Sequence, residues 1–271
     1  MKESEVNYAS EKLVQLQSEY HISLDADWKY KDPKFGGWEA GSWSIDELDH
    51  LHTAIALLAD AMGGSDRLIQ NLGGVNVQKL DIGSHAGNAI AHHVNLNTKG
   101  SFSTWTVVHE FAHAWDANFS WRLSTALEKY TGGFTSRRLS LIYKVLGYWD
   151  AGLQGSEEKP GRRGRKPGCN SAGYFYGDKP SGSNWNFNRK EDFAESVAMY
   201  IGWQGDNDLS DQAHGRIKRY ELQNGEKDET FKIIDNWADY ARYFYPQGGD
   251  YTRTKRWQFI DSLMRGKIKI V

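Results

Sequence analysis

Thr106-Val107-Val108-His109-Glu110-Phe111-Ala112-His113-Ala114-Trp115-Asp116 carries the spacing H-E-x-x-H inside a run of apolar residues at helical period. At about 100° per residue, His109 and His113 fall on one helix face, and Val108, Phe111, Ala112 and Trp115 form an apolar stripe beside them. The run predicts a helix docked on a core, with both imidazoles at the edge of its buried face. Neutral imidazole nitrogens bind Zn²⁺ at about 2.0–2.1 Å, and helix packing fixes their direction. Glu110 points to a different side, where its carboxylate would take a proton from a metal-bound water attacking a carbonyl and later deliver it to the leaving amine. Asp116, one turn past His113, could orient a ligand or make a surface salt bridge.

A second stretch completes the ligand set. Arg189-Lys190-Glu191-Asp192-Phe193-Ala194-Glu195-Ser196-Val197-Ala198-Met199-Tyr200-Ile201 predicts a helix opening after Asn188, with Phe193, Ala194, Val197, Ala198 and Ile201 as its apolar stripe. Glu191 and Glu195 flank that stripe, whereas Asp192 falls nearly opposite its centre. Packing the two helices together would place Glu191 on the metal as the third protein ligand. The fourth position stays open for water, as in a catalytic His₂Glu zinc site. Glu195, one turn on, would accept the free ring N–H of His109 and fix its tautomer.

Taken together, His109-Glu110-Phe111-Ala112-His113 and Glu191-Asp192-Phe193-Ala194-Glu195 resemble the gluzincin class of zinc metallopeptidases, and within it the family of the anthrax lethal factor catalytic domain and related bacterial zincin-like domains. The resemblance implies His109, His113 and Glu191 as zinc ligands, Glu110 as general base and Glu195 as the acid behind the ligands. It also implies a tyrosine before the glutamate helix that stabilises the oxyanion. Tyr174-Phe175-Tyr176-Gly177 offers two, and Tyr176 is the choice because a glycine follows it; the loop from Tyr176 to Glu191 is longer than in the family pattern. A third histidine six residues after His113, which the metzincin pattern requires, is replaced by Phe119.

Outward from these two helices, Ser44 and Glu47 form a capping box for a long helix through Ile45, Leu48, Leu51, Ile55, Leu58 and Met62, ended by Gly63-Gly64. His50 and His52 lie on different sides of that helix and read as surface or core-edge residues. Between Val75 and Asn97 the period changes to two, through Val75 and Val77 and then Ile90, His92, Val94 and Leu96, broken by Gly83 and Gly87; these are strands. An edge near 84–91 could pair with an extended peptide. His92 and His93 face opposite ways and do not share one ion, and His85 reads with them as a strand residue. Amphipathic helices are expected over 6–20, 121–130 and 136–146, and again through Phe231 to Phe244 and Trp257 to Met264. Residues 151–188 lose periodicity and form a long loop, basic over 159–168.

With 271 residues, 39% hydrophobic and 25% charged, and a formal charge of −2, the chain is expected to be globular, without global attraction to nucleic acid or to anionic membranes. A single cysteine, Cys169, excludes an internal disulfide, and with no membrane-length apolar run and no leader pattern the expectation is a cytoplasmic protein. The fold expected is α+β and zincin-like. Residues 1–40 would be an N-terminal helical arm, 41–203 the catalytic core, and 204–271 a helical C-terminal lobe. The sheet and the Ser44 helix would form one wall of a cleft, and the Glu191 helix with the C-terminal helices the other. The activity expected is zinc-dependent hydrolysis of a peptide or protein substrate. Two alternatives stay open: a protease recruited to nucleic acid through residues 159–168, and a non-catalytic binding or toxin-related module with structural zinc.

Overall fold

Contacts within the chain divide it into two units, Met1–Ser120 and Trp121–Val271. The structure, a computed structural model, describes residues 3–25, 43–83, 85–98, 102–131, 189–204, 209–210, 213, 252 and 255–270. The expected helices over 136–146 and 231–244, and the loop 151–188 with its basic segment, Cys169, Tyr174 and Tyr176, lie outside these residues. No helix among the described residues is long and apolar enough to cross a membrane.

The first unit is α+β. It comprises helices α1 (Glu3–Tyr20), α2 (Ile45–Met62), α3 (Ser65–Leu72) and α4 (Thr104–Asn118) and a four-stranded mixed sheet of β1 (Ile22–Asp25), β2 (Val75–Leu80), β3 (Gly87–Ile90) and β4 (His93–Asn97). Strand order is β1-β2-β4-β3, with β1, β2 and β4 parallel and β3 antiparallel to β4. The alternation through Ile90, His92, Val94 and Leu96 is thus two strands and not one. A turn at Ala91-His92 separates them, with His92 at φ 63°. The turn spans two residues, so the period of two passes through it unbroken and the sequence pattern conceals the reversal. Neither β1 nor α3 stood out in the sequence: β1 has four residues, and α3 starts directly after the glycines that end α2.

Helix α2 begins as its sequence requires. Ser44 Oγ accepts from Glu47 N at 3.2 Å and Glu47 Oε2 accepts from Ser44 N at 2.8 Å, while Gly63 takes the left-handed conformation at φ 91° that closes the helix. Glu47 has a second task. Lys79 on β2, whose side chain is fully buried, donates from Nζ to both Glu47 oxygens at 2.8 and 2.9 Å, with the Trp43 ring centroid 5.7 Å from the same nitrogen. The pair joins the first turn of α2 to the central sheet. Removing one member would strand the other charge away from water, a loss of about 3–5 kcal/mol.

Helix α1 packs on α2, α3 and β1, burying Ala9, Leu16 and Tyr20. Besides the Tyr8 hydroxyl, which donates to Asp49 Oδ1 at 2.6 Å, its polar contact to α2 runs through His52, which lies at the α1–α2 contact and not on a free surface. Gln15 donates to Glu19 Oε2 at 2.9 Å, which turns its amide oxygen toward His52 Nε2 at 2.8 Å, and Lys12 Nζ lies 3.3 Å from His52 Nδ1. Both ring nitrogens are therefore satisfied by the neutral Nε2–H tautomer. Burial, and then the Lys12 charge, push the His52 pKa below its ordinary 6.5, against opposing pulls from Glu19 and Asp49.

The second unit contains α5 (Arg122–Thr131), α6 (Arg189–Gln204) and α7 (Lys255–Met264), which pack on one another. The apolar stripe expected for α6 is buried throughout, from Phe193 to Ile201. Arg256 of α7 is fully buried and donates to Ser196 Oγ at 3.2 Å, and Tyr200 donates to Asp261 Oδ1 at 3.0 Å.

Two outcomes are expected. Lys79→Ala or Glu47→Ala should each lower the unfolding free energy by about 3–5 kcal/mol, whereas Lys79→Met with Glu47→Leu should lose much less; urea unfolding of the four proteins measures this. For His52 the unfolded chain takes up its proton first as pH falls. The stability from the neutral ring is thus complete above about pH 6.5 and is lost as pH drops through the lower folded value. Unfolding curves between pH 7.5 and 5 should show a fall in stability that His52→Gln reduces, and an unchanged slope in that variant would remove His52 as its source.

Candidate metal centre

Helix α4 starts at Ser103, whose Oγ accepts from Thr106 N at 3.3 Å, and its first residue is fixed from the side by a 2.9 Å hydrogen bond between Thr104 Oγ1 and His50 Nδ1 of α2. Its far end is held by Asn118, which donates from Nδ2 to Leu72 O, the carbonyl that ends α3. Between these anchors every residue from Thr104 to Asp116 except Thr106 is buried. This differs from an amphipathic helix with imidazoles at the edge of one apolar face. Packing against α2, α3, β3 and β4 closes the helix on nearly all sides.

His109 and His113, each 8% exposed, turn their rings toward each other. Their Nε2 atoms are 3.0 Å apart, with ring centroids at 4.7 Å and planes at 80°. Two imidazole lone pairs at that separation repel unless a proton or a cation lies between them. A tetrahedral Zn²⁺ with bonds of about 2.0–2.1 Å holds its nitrogens about 3.3 Å apart, close to the spacing present. Glu191 on α6 is half-buried, and one ligand atom from each of His109, His113 and Glu191 forms a group in which all lie within 4.8 Å of one another. This group could hold a metal ion. Among the described residues it is the group of three such side chains with this spacing, and neither His85, His92 nor His93 belongs to it.

The other expected residues fall as follows. Glu110 is 6% exposed and its carboxylate lies against β3 at Gly87. Glu195 is buried on α6, one turn after Glu191. Lys190, beside Glu191, places Nζ 3.3 Å from the centroid of the Trp121 ring, a cation–π contact at the first turn of α6. Asp116 is fully buried, which overturns a surface salt bridge for it. Among the described residues His50 and His52 belong to no metal-binding group; they tie α2 to α4 and to α1. Gly87 is the residue that sequence reasoning passed over. A glycine inside a strand, within the edge at 84–91 expected to receive peptide, was the available signal.

No family model, curated protein or solved structure matches the chain.

Metal analysis tests the ligand group directly. After dialysis against zinc, Glu191→Ala and His113→Ala should each retain far less metal than the parent protein, while His85→Ala, which alters an exposed residue outside the group, should retain as much. Equal metal in Glu191→Ala and the parent would remove Glu191 from the group.

Proposed function

We propose that the protein is a zinc-dependent peptidase of gluzincin type. The observation that carries this is the convergence of His109, His113 and Glu191 beside a buried carboxylate, Glu110, on the same helix as the two imidazoles. The donor set suits zinc, which accepts two imidazoles and a carboxylate in open catalytic sites. When bound there, Zn²⁺ would supply Lewis-acid polarisation of the scissile carbonyl and acidification of water.

The chain's own residues would do the rest. Glu110 would take a proton from the attacking water at its carboxylate and return it to the leaving amine nitrogen. Its burial against Gly87 fixes its direction and limits competing water. Glu195 would accept a ring N–H from a ligating histidine and so hold the tautomer that keeps the other nitrogen free to bind metal. Among the described residues β3 pairs only with β4, so its outer edge can align an extended peptide through main-chain hydrogen bonds. A tyrosine at 176 would add oxyanion stabilisation.

Glu110→Gln separates an enzyme from a structural zinc protein. The amide keeps the shape and leaves the three ligands in place but cannot accept the proton. Zinc stoichiometry and thermal stability should stay near those of the parent, while hydrolysis of a mixed peptide library falls by at least ~10²-fold. Cleavage that persists equally in the metal-loaded variant would sink the catalytic assignment.

A further inference from the structure

Gly87 is the first residue of β3, paired with Leu96 of β4. An ideal β-carbon built on it would lie 2.6 Å from Glu110 Cγ, 2.7 Å from Oε1 and 2.8 Å from Cδ. Non-bonded carbons rest about 3.5–4.0 Å apart, so no residue with a side chain fits at 87 while Glu110 stays where it is. The backbone does not ask for glycine here, since Gly87 is not among the glycines with positive φ. A glycine in a strand also weakens the strand. What the position requires is room for the carboxylate.

The strand cannot easily supply that room by retreating. Asn97, buried at the end of β4, donates from Nδ2 to the carbonyl oxygens of Gly83 at 2.9 Å and His85, and its own N–H donates to Ala86 O at 3.0 Å. The three bonds clamp the chain immediately before Gly87. Ala89, the next residue on the same side of β3, is also small, whereas Asn88 and Ile90 on the other side are exposed. Between moving a clamped strand and rotating one side chain, the rotation costs less.

We propose that Gly87 is a positioning residue for Glu110: the missing β-carbon lets the carboxylate lie on the strand backbone, at the edge where an extended peptide would pair. The proposal rests on Glu110 as general base. A methyl group at 87 would drive the carboxylate off the strand while leaving the metal ligands untouched, so it would act on the chemical step and not on peptide or metal binding.

The test is a cycle of Gly87→Ala, Glu110→Ala and the double variant, each zinc-loaded, with melting temperature, zinc content and hydrolysis of a mixed peptide library as readouts. Gly87→Ala alone should lower Tm by roughly 3–10 °C and kcat by about 10–100-fold, with KM and zinc content near those of the parent. In the Glu110→Ala background, where the clash is gone, the same substitution should cost no stability, because alanine at an ordinary φ is tolerated. If Gly87→Ala does not fold alone, folding of the double variant is the expected rescue, and failure of both overturns the proposal. An equal Tm loss in the two backgrounds would overturn it, because the methyl group would then be meeting something other than Glu110. Parent-like kcat in Gly87→Ala would also overturn it. Coupling in Tm without hydrolysis by the parent protein would instead defeat the peptidase assignment and reduce the contact to packing.

Discussion

A helix closed on nearly all sides offers little water to the polar groups it carries, and α4 carries His109, Glu110, His113 and Asp116, all buried. Each such group costs free energy unless its environment provides for it. The environment provides in different ways. The two imidazoles are set so close that a proton or a cation between them relieves their repulsion, and Glu110 is backed by a strand with a glycine where it approaches. The N- and C-terminal anchors, from His50 to Thr104 and from Asn118 to Leu72, prevent the helix from turning to expose these groups.

The Lys79–Glu47 pair plays the corresponding part for the sheet. A buried ion pair contributes little net stability over a hydrophobic pair of the same shape, but it penalises any arrangement in which its partners are separated. Glu47 also completes the capping box of α2, so one carboxylate fixes where that helix starts and which strand lies beneath it. Helix α2 in turn holds the start of α4. The geometry of the candidate site is thus referred back, through two helices, to a lysine in the middle of the sheet.

The helices that bear the site were legible because their signals are local and redundant. His109 and His113 one turn apart, the apolar run around them, and the Glu191 helix with its stripe all follow from residue spacing, as does the Ser44–Glu47 cap. Burial all round α4 was not legible, because residues such as Thr104 and Asp116 are buried by what packs on them and not by their own character. The hairpin at Ala91-His92 was concealed by a turn of even length. Strand β1 depends on pairing with a distant segment that no local pattern announces. The role of Gly87 belongs to the same class: its neighbour Glu110 lies on another element, beyond the span of a local pattern, and only the fold brings them together.

Sheet connectivity has a consequence for how the first unit assembles. Ile90 and His93 pair across a two-residue turn, and β2 meets β4 within one further short excursion, whereas Ile22 must find Val75 some fifty residues away. Pairings that close short loops form faster than those that close long ones, because less chain entropy must be surrendered before the contacts reward it. The contiguous segment 75–118, from β2 through α4, contains Gly87, His109, Glu110 and His113 along with the strands that α4 covers. The order favoured is therefore hairpin, then α4 upon it, then β1 at the opposite edge. The two imidazoles and the strand-backed carboxylate are brought together early, by the short-range part of the topology.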